Sequence, residues 1–291
     1  MIIARKDTRI LVQGITGKQG SFWTERMQEY GASVVGGVNP KKAGAEHCGV
    51  PVFGTAQDAA EIGFDASILF IPPLGVKAAA LDAINAGAKM ILIPTEHIPV
   101  HDVMYFMAAA KEAGTRVVGP NTAGGVTLGE TFMGFMPAFN SRIFKQGSIG
   151  VLSRSGSLGT LMCQNIVSAG FGQTAFVGIG GDPVIGTTSR DALVALDRFP
   201  GTRAVVMVGE IGGTMEEEAA DYARTMDKPV IAFIAGGASP TGKKMGHAGA
   251  IVIGDKGTYA SKKTALEAAG VNVLSTPVDV GDALKEAFGK K

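Results

Sequence analysis

Cysteine is nearly absent from this chain: Cys48 and Cys163 are the only two in 291 residues, far apart and without CxxC spacing. That scarcity excludes a disulfide framework and a zinc knuckle, and it favours a reducing compartment. An excess of one sign of charge is also lacking. The 27 basic and 26 acidic residues leave a net charge of +1, which gives no electrostatic reason to expect nucleic acid or an anionic membrane as partner. Long apolar runs are missing too. The best, Ala66 to Val76, is broken by Pro72-Pro73 and is too short to span a bilayer. The opening residues, Met1 to Asp7, show no signal-peptide pattern, so a cytoplasmic protein is expected. Two catalytic signatures are absent as well: the Gly-x-Ser-x-Gly elbow of acyl-enzyme chemistry and the Gly-Lys-Ser/Thr loop that holds an NTP. No metal site is expected. Pro99 interrupts the helical spacing of His97 and His101, and His47-Cys48 is an isolated pair.

What the chain has in abundance is glycine, 42 residues, within a globular composition that is 46% apolar and 18% charged. Short β-branched runs alternate with helix-period segments. Arg9–Gln13, Ser33–Val38, Ser67–Ile71, Lys89–Ile93 and Thr115–Val118 read as buried parallel strands. Between them, 20–30, 75–86 and 101–113 read as helices that stop at Gly31, Gly87 and Gly114. Periodicity lapses after Asn121 and resumes with strands at 149–152, 174–177, 204–208, 230–234 and 271–274. Helices are expected over 158–169, 190–199, 215–226, 259–269 and 280–288. The expected fold is α/β with two doubly wound parallel sheets: one domain over 1–121, a connection over 122–147 and a second domain over 148–291.

Four glycine-rich segments follow strands, where open α/β sheets gather ligands. The first, Gly14-Ile15-Thr16-Gly17-Lys18-Gln19-Gly20, opens a helix whose backbone N–H groups suit a phosphate. The second strand then runs into Asn39-Pro40-Lys41-Lys42 rather than toward the acid that holds a ribose diol. Two lysines there suit a phosphorylated ribose, which ranks coenzyme A first, NADP second and NAD last. The alternative is a solvated surface pair. Ser153-Arg154-Ser155-Gly156 leads into another helix and forms a second anion site. Gly209-Glu210-Ile211-Gly212-Gly213 places a carboxylate at a strand end. Finally, Gly246-His247-Ala248-Gly249-Ala250 exposes an imidazole among small residues. Glu210 fits an orienter that fixes the His247 tautomer and raises its basicity, with a helix-terminal charge as the alternative. Glu216-Glu217-Glu218 read only as charges at a helix start.

Taken together with Gly119-Pro120-Asn121 and Gly178-Ile179-Gly180-Gly181-Asp182-Pro183, these segments resemble the signatures of the succinate–CoA ligase α-subunit family, in order and along essentially the whole chain. The resemblance implies a Rossmann-like CoA-binding domain followed by a flavodoxin-like ligase domain. It also implies an NDP-forming acid–CoA ligase that works through a phosphohistidine and an acyl phosphate. His247 matches the family's histidine and Glu210 its glutamate. CoA contacts map to Thr16, Gly17, Lys18, Gln19, Lys42, Pro94, Thr95 and Glu96, while Ser153, Arg154, Ser155 and Gly156 are the phosphate site expected from the residues themselves. The NTP and its Mg²⁺ are expected on a β subunit that carries the nucleotide-grasping domain, in an αβ or α₂β₂ heteromer.

The chain departs from the family pattern around the acid. Asn121-Thr122-Ala123-Gly124 stands where the family reads Asn-Cys-Pro-Gly, and Gly159-Thr160-Leu161 where it reads Thr-Tyr-Glu. Trp23 stands at a usual histidine, and Pro94-Thr95-Glu96-His97 replaces Ile-Thr-Glu-Gly. Thr122 and Thr160 are therefore the expected acid-pocket residues. Loss of a tyrosine ring and of its hydroxyl's reach opens the pocket to succinate or to another acid such as malate or citrate. The competing readings are an NADP-dependent Rossmann oxidoreductase and a CoA-binding subunit without turnover.

Overall fold

The computed structural model describes residues 1–238, 247–252 and 257–289. The chain forms two units, Met1–Phe135 with Val184–Thr187, and Met136–Pro183 with Thr188–Lys291.

The first unit contains β1 (Arg9–Gln13), α1 (Lys18–Tyr30), β2 (Ser33–Val38), β3 (Glu46–His47), β4 (Val50–Phe53), β5 (Ala66–Leu69), α2 (Val76–Asn85), β6 (Met90–Leu92), α3 (Val100–Ala113), β7 (Arg116–Val118), β8 (Gly124–Thr127) and β9 (Thr131–Gly134). Its sheet runs β3-β4-β2-β1-β5-β6-β7, parallel except for the edge pair β3–β4. Without that edge strand the order is that of a Rossmann fold, with the reversal of winding between β1 and β5. Ile10, Leu11 and Val12 are wholly buried, which explains why β1 is a continuous apolar run rather than an alternating one. The helices α1 and α3 do stop at Gly31 and Gly114, both in the left-handed conformation that closes a helix without Cβ strain.

Periodicity misses β3, β4, β8 and β9, which are two to four residues long, the last three of them carrying glycine or proline. Pro51 is tolerated because β3–β4 lies at the sheet edge. The hairpin β8–β9 occupies the aperiodic stretch that follows Asn121, with Val126 opposite Phe132. It is anchored from α1, where Trp23 and Tyr30 each meet the Phe132 ring edge-on at 6.2 Å. Arg5 donates two hydrogen bonds of 2.7 Å to Glu130 beside the hairpin turn.

In the second unit, β10 (Gln146–Ser153), α4 (Gly156–Ser168), β11 (Gln173–Gly178), α5 (Ser189–Asp197), β12 (Ala204–Glu210), α6 (Met215–Ala223), β13 (Val230–Ala235), α7 (Tyr259–Ala268), β14 (Asn272–Leu274) and α8 (Val280–Ala287) alternate strand with helix throughout. These five strands run parallel in the order β14-β13-β12-β10-β11. Read from β11, that is the 2-1-3-4-5 winding of the flavodoxin type, with its reversal between β10 and β12. Every residue of β12 is buried, including the terminal Glu210. No helix among the described residues is long and apolar enough to cross a membrane.

Candidate functional site

Each winding reversal marks a cavity. In the first unit, the turns after β1, β5 and β6 line a cleft of about 1180 Å³. Its floor includes Gly14, Gly17 and Gly20, its sides Pro40, Phe70 and Pro72, and its far end Thr95, Asn121 and Phe135. The size exceeds the usual ~300–1,000 Å³ of a compact ligand site and suits an extended molecule. Helix α1 begins at Gly17 with no side-chain cap and no acidic residue in its first turn. Its N-terminal amides are thus left to an anion. A Cβ at Gly20 would lie 2.1 Å from the Gly14 carbonyl oxygen, so only glycine lets the helix start this close to the turn.

Thr16, Gly17, Lys18, Gln19, Pro94, Thr95 and Glu96 all line this cleft. Thr16 Oγ1 accepts from Asn39 Nδ2, Gln19 accepts from Trp23 Nε1 at 2.9 Å, and Thr95 donates to the Ile71 carbonyl at 2.8 Å. Lys42 is exposed on the short turn Pro40–Lys42, whose first residue lines the cleft. The Asn39 hydrogen bond and the Phe135 wall were not read from sequence. Asn39 sits beside two lysines whose charge dominates that stretch of sequence, and Phe135 belongs to the aperiodic stretch.

In the second unit a smaller cavity of about 280 Å³ is lined by Ser155, Ser157, Leu158, Glu210, Ile211, Ala235, Gly236, His247 and Ala250. The residues converge from the ends of β10, β12 and β13. Ser155 caps α4 by accepting from the Leu158 amide at 3.3 Å, and Ser153 Oγ fixes the turn through the Ser155 carbonyl at 2.6 Å. Gly246 and the residues from Ser239 onward to it lie outside the described residues. His247 itself is described and half-buried, and its Nδ1 lies 2.8 Å from Glu210 Oε2. An ionised carboxylate only accepts, so Nδ1 carries the proton and Nε2 keeps the lone pair. The ring lies over Gly181, where a Cβ would come within 2.5 Å of the imidazole Cγ. The hydrogen bond that Nδ1–H donates to Glu210, opposed by burial, raises the His247 pKa above its ordinary 6.5.

Arg154 does not reach toward the cavity as an anion ligand. It is 2% exposed, with Nη2 at 3.2 Å from Glu210 Oε1, and with Nη1 donating to the Gly212 carbonyl at 3.0 Å and to Glu216 Oε1 at 3.4 Å. The carboxylates above and below it hold it in the interior. Glu216 does stand in the first turn of α6, but that is not its only part. Glu216 is wholly buried between Arg154 and Lys262, whereas Glu218 does sit exposed at the helix start and accepts from Thr214. A lone acidic triplet looks like solvated charge in sequence because its buried partners, Arg154 and Lys262, are far away along the chain.

Thr160 Oγ1 donates back to the Gly156 carbonyl at 2.8 Å within α4, and Thr160 does not line the His247 cavity. Thr122, in the first unit, is buried and accepts from the Gly124 amide at 3.0 Å. Gly156 is the first residue of α4. His97 precedes α3 and His101 lies within it, so they share no helical face. Among the described residues no group of three or more metal-ligating side chains occurs. Cys163 is fully buried and its thiol pKa is raised by that burial, which leaves it unreactive.

Comparisons with known proteins agree with this geometry. A family described as CoA binding domain matches residues 5–97, and one described as CoA-ligase matches residues 152–272. The first match favours CoA over NADP for the larger cleft. The chain is 49% identical over 290 residues to the α subunit of ADP-forming succinate–CoA ligase from Methanothermobacter thermautotrophicus, covering 99% of this chain and 98% of that one. It is 46% identical to the corresponding subunit from Aquifex aeolicus, over 97% and 93% of the two chains. It is also 43% identical to a subunit of ADP-forming sulfoacetate–CoA ligase from Bilophila wadsworthia, over 99% of each. Among solved structures, ATP citrate lyase from Methanosaeta concilii in complex with (3S)-citryl-CoA superposes with a TM-score of 0.88 at 23% identity, a likeness of fold. That match covers 98% of this chain but only 50% of the lyase, so the chain spans half the length of that relative.

Proposed function

The chain belongs to the ADP-forming acid–CoA ligase family, as an α subunit of the succinate–CoA ligase type, and on that premise we propose that His247 is its phosphoryl carrier. The observation that carries the reading is the 2.8 Å contact of His247 Nδ1 with buried Glu210, which leaves Nε2 as the nucleophilic atom beside the start of α4.

The reaction proposed is carboxylate + CoA + ATP to acyl-CoA + ADP + phosphate. Neutral His247 Nε2 attacks the γ-phosphorus of ATP, and the bond to ADP breaks. A carboxylate oxygen of the acid then takes the phosphoryl group from Nε2, which gives an acyl phosphate. The CoA thiol, losing its proton, attacks the acyl carbon and releases inorganic phosphate. Throughout, Glu210 accepts from Nδ1, so that positive charge developing on the ring is stabilised where it forms. Ser155, Gly156 and Ser157 present amides and hydroxyls from the first turn of α4 to the phosphoryl oxygens. Arg154 is assigned to holding Glu210 and not to binding phosphate.

For CoA, the residues fit an elongated phosphorylated nucleotide: an uncapped helix N-terminus, a turn that tolerates no side chain, and a long cleft with apolar walls. Thr16, Gly17, Lys18 and Gln19 hold the pyrophosphate, Lys42 attracts the ribose phosphate, and Pro94, Thr95 and Glu96 border the remaining arm. The site that binds ATP and Mg²⁺ is proposed on a β subunit, consistent with the missing NTP loop. A cytoplasmic setting accords with two unpaired cysteines.

The acid is a small carboxylate of the class that relatives handle, with succinate first and sulfoacetate or a hydroxy acid as competitors. Thr122 and Thr160 are the proposed sites of that choice. Both present a short hydroxyl side chain already engaged by backbone. Incubating the αβ complex with γ-labelled ATP should place acid-labile, base-stable label on this chain. His247→Asn should abolish it and lower acyl-CoA formation by at least ~10³-fold. Label retained in that variant would refute the assignment. Acyl-CoA formation across succinate, malate, citrate and sulfoacetate then identifies the acid, and no turnover with any carboxylate would leave a CoA-binding subunit without catalysis.

A further inference from the structure

The buried charges behind His247 do not end at Glu210. Arg154 lies between two carboxylates, at 3.2 Å from Glu210 and 3.4 Å from Glu216. Glu216 in turn accepts from Lys262, which also donates to Glu217 at 3.1 Å and to the Gly213 carbonyl at 2.9 Å. Arg154 is 2% exposed, and Glu216 and Lys262 are 0% exposed. A fully buried lysine is rare, and a pair of buried charges gives weak stabilisation compared with apolar residues of the same volume. Stability alone is therefore a poor reason for three charged residues beneath a half-buried histidine.

We propose that Glu216 and Lys262 are positioning residues that divide Arg154 between two carboxylates and so set how tightly Glu210 holds the His247 ring. Resting on the phosphohistidine reading above, the inference names residues that touch neither substrate nor the reacting nitrogen. Lys262 neutralises Glu216, so Arg154 is only partly drawn from Glu210. Glu216 keeps Arg154 from neutralising Glu210 fully. Glu210 also has its amide bonded to Glu216 Oε1 at 3.2 Å, which ties the strand end to the start of α6. The charged groups that act on His247 among the described residues are Glu210 from β12, Arg154 from the turn after β10 and Asp182 from the loop after β11. Those that meet Lys262 are Glu216 and Glu217 from α6.

The two outer charges act on His247 with opposite sign. Lys262→Met frees Glu216 to draw Arg154 away from Glu210, which then holds the imidazolium more strongly. Glu216→Gln leaves Arg154 to Glu210 alone and weakens that hold. The double variant lacks the Glu216 carboxylate as well, so Arg154 again turns to Glu210 alone and the variant behaves as Glu216→Gln does. The chain has four histidines, so an NMR titration of the imidazoles in the full-length protein is readable, with His247→Asn assigning the resonance. The His247 midpoint should rise by about half a pH unit or more in Lys262→Met, fall by a similar amount in Glu216→Gln, and fall likewise in the double variant.

A structural role for this network would lower the thermal midpoint without moving the titration in opposite directions. Midpoints that stay together, or that shift the same way in both single variants, overturn the proposal. If Lys262→Met does not fold, the Glu216→Gln midpoint compared with that of the parent decides it, a fall supporting the proposal and an unmoved or raised midpoint overturning it. Labelling with γ-labelled ATP separates this inference from the reading beneath it. Opposed shifts with no label on His247 refute the phosphohistidine and leave the positioning intact. Label on His247 with unmoved midpoints refutes the positioning alone.

Discussion

The two cavities of this protein are built at the same place in two similar sheets, yet from opposite materials. The cleft of the first unit is made of glycine backbone, proline, phenylalanine and neutral hydrogen-bonding groups. The charged side chains in its lining, Lys18 and Glu96, are exposed, as is Lys42 on the neighbouring turn. The cavity of the second unit is about a quarter of the volume and stands on a chain of buried charges from Glu210 to Lys262. Binding a long ligand requires surface and amides that face it, and water can share the remaining charge. Moving a phosphoryl group requires a nitrogen whose basicity is set, which in turn requires charges held out of water. The same topology thus supports recognition in one unit and reactivity in the other, according to whether charge is exposed or enclosed.

The sharpest way to break this contrast is to remove the carboxylate that the second cavity relies on. Glu210→Gln keeps a hydrogen bond to Nδ1 but loses the charge. Phosphorylation of His247 should fall by about 10²-fold. The pH midpoint for phosphorylation should also move down, because the raised pKa of His247 comes first from Glu210. CoA affinity, measured by calorimetry on the same variant, should not change.

The converse test alters only the first unit. Gly20→Ala drives a Cβ against the Gly14 carbonyl at 2.1 Å, a backbone contact that no side-chain rotation relieves. A cost of ~1–3 kcal/mol is expected from such overpacking, with CoA bound at least about tenfold more weakly. The His247 titration should be untouched. A shifted titration would show that the two sites are not energetically separate.

Lys42→Ala probes the exposed charge and should have a smaller effect. CoA affinity should drop a few-fold, in line with ~0–1 kcal/mol for a solvent-exposed ion pair, and more at low salt than at high. Dephospho-CoA should show no such loss. Equal losses for both ligands would place Lys42 away from the ribose phosphate.

The least effect concerns stability. A histidine whose folded-state pKa is raised contributes stability that is fully present below its ordinary 6.5 and is lost as pH rises through the higher folded value. The stability advantage of the parent chain over Glu210→Gln, taken from urea melts, should therefore shrink as pH increases across that window. An advantage that grows with pH would contradict the Nδ1–Glu210 assignment.

Much of this was legible in residue order. Hydrophobic runs located ten buried strands, since a strand covered on both faces must be apolar throughout, and glycines marked where helices end. The four glycine-rich turns, with His247 and Glu210, were readable because a ligand or a close backbone approach leaves small residues in sequence. The strands β3, β4, β8 and β9 were not legible. They are too short for a period, and Pro51, Gly124 and Gly134 depress strand propensity that pairing with neighbours then overrides.

The sequence by itself determined the order of elements and the places of the glycine turns, because each depends on spacing within a few residues. Only the tertiary structure decided the task of each charge. In sequence Arg154 reads as an anion ligand and Glu216 only as a charge at a helix start, and folding buries both in one ion-pair chain with Lys262. The reason is that the behaviour of a charge depends on its desolvation and on partners distant along the chain. Neither is encoded in the residues beside it.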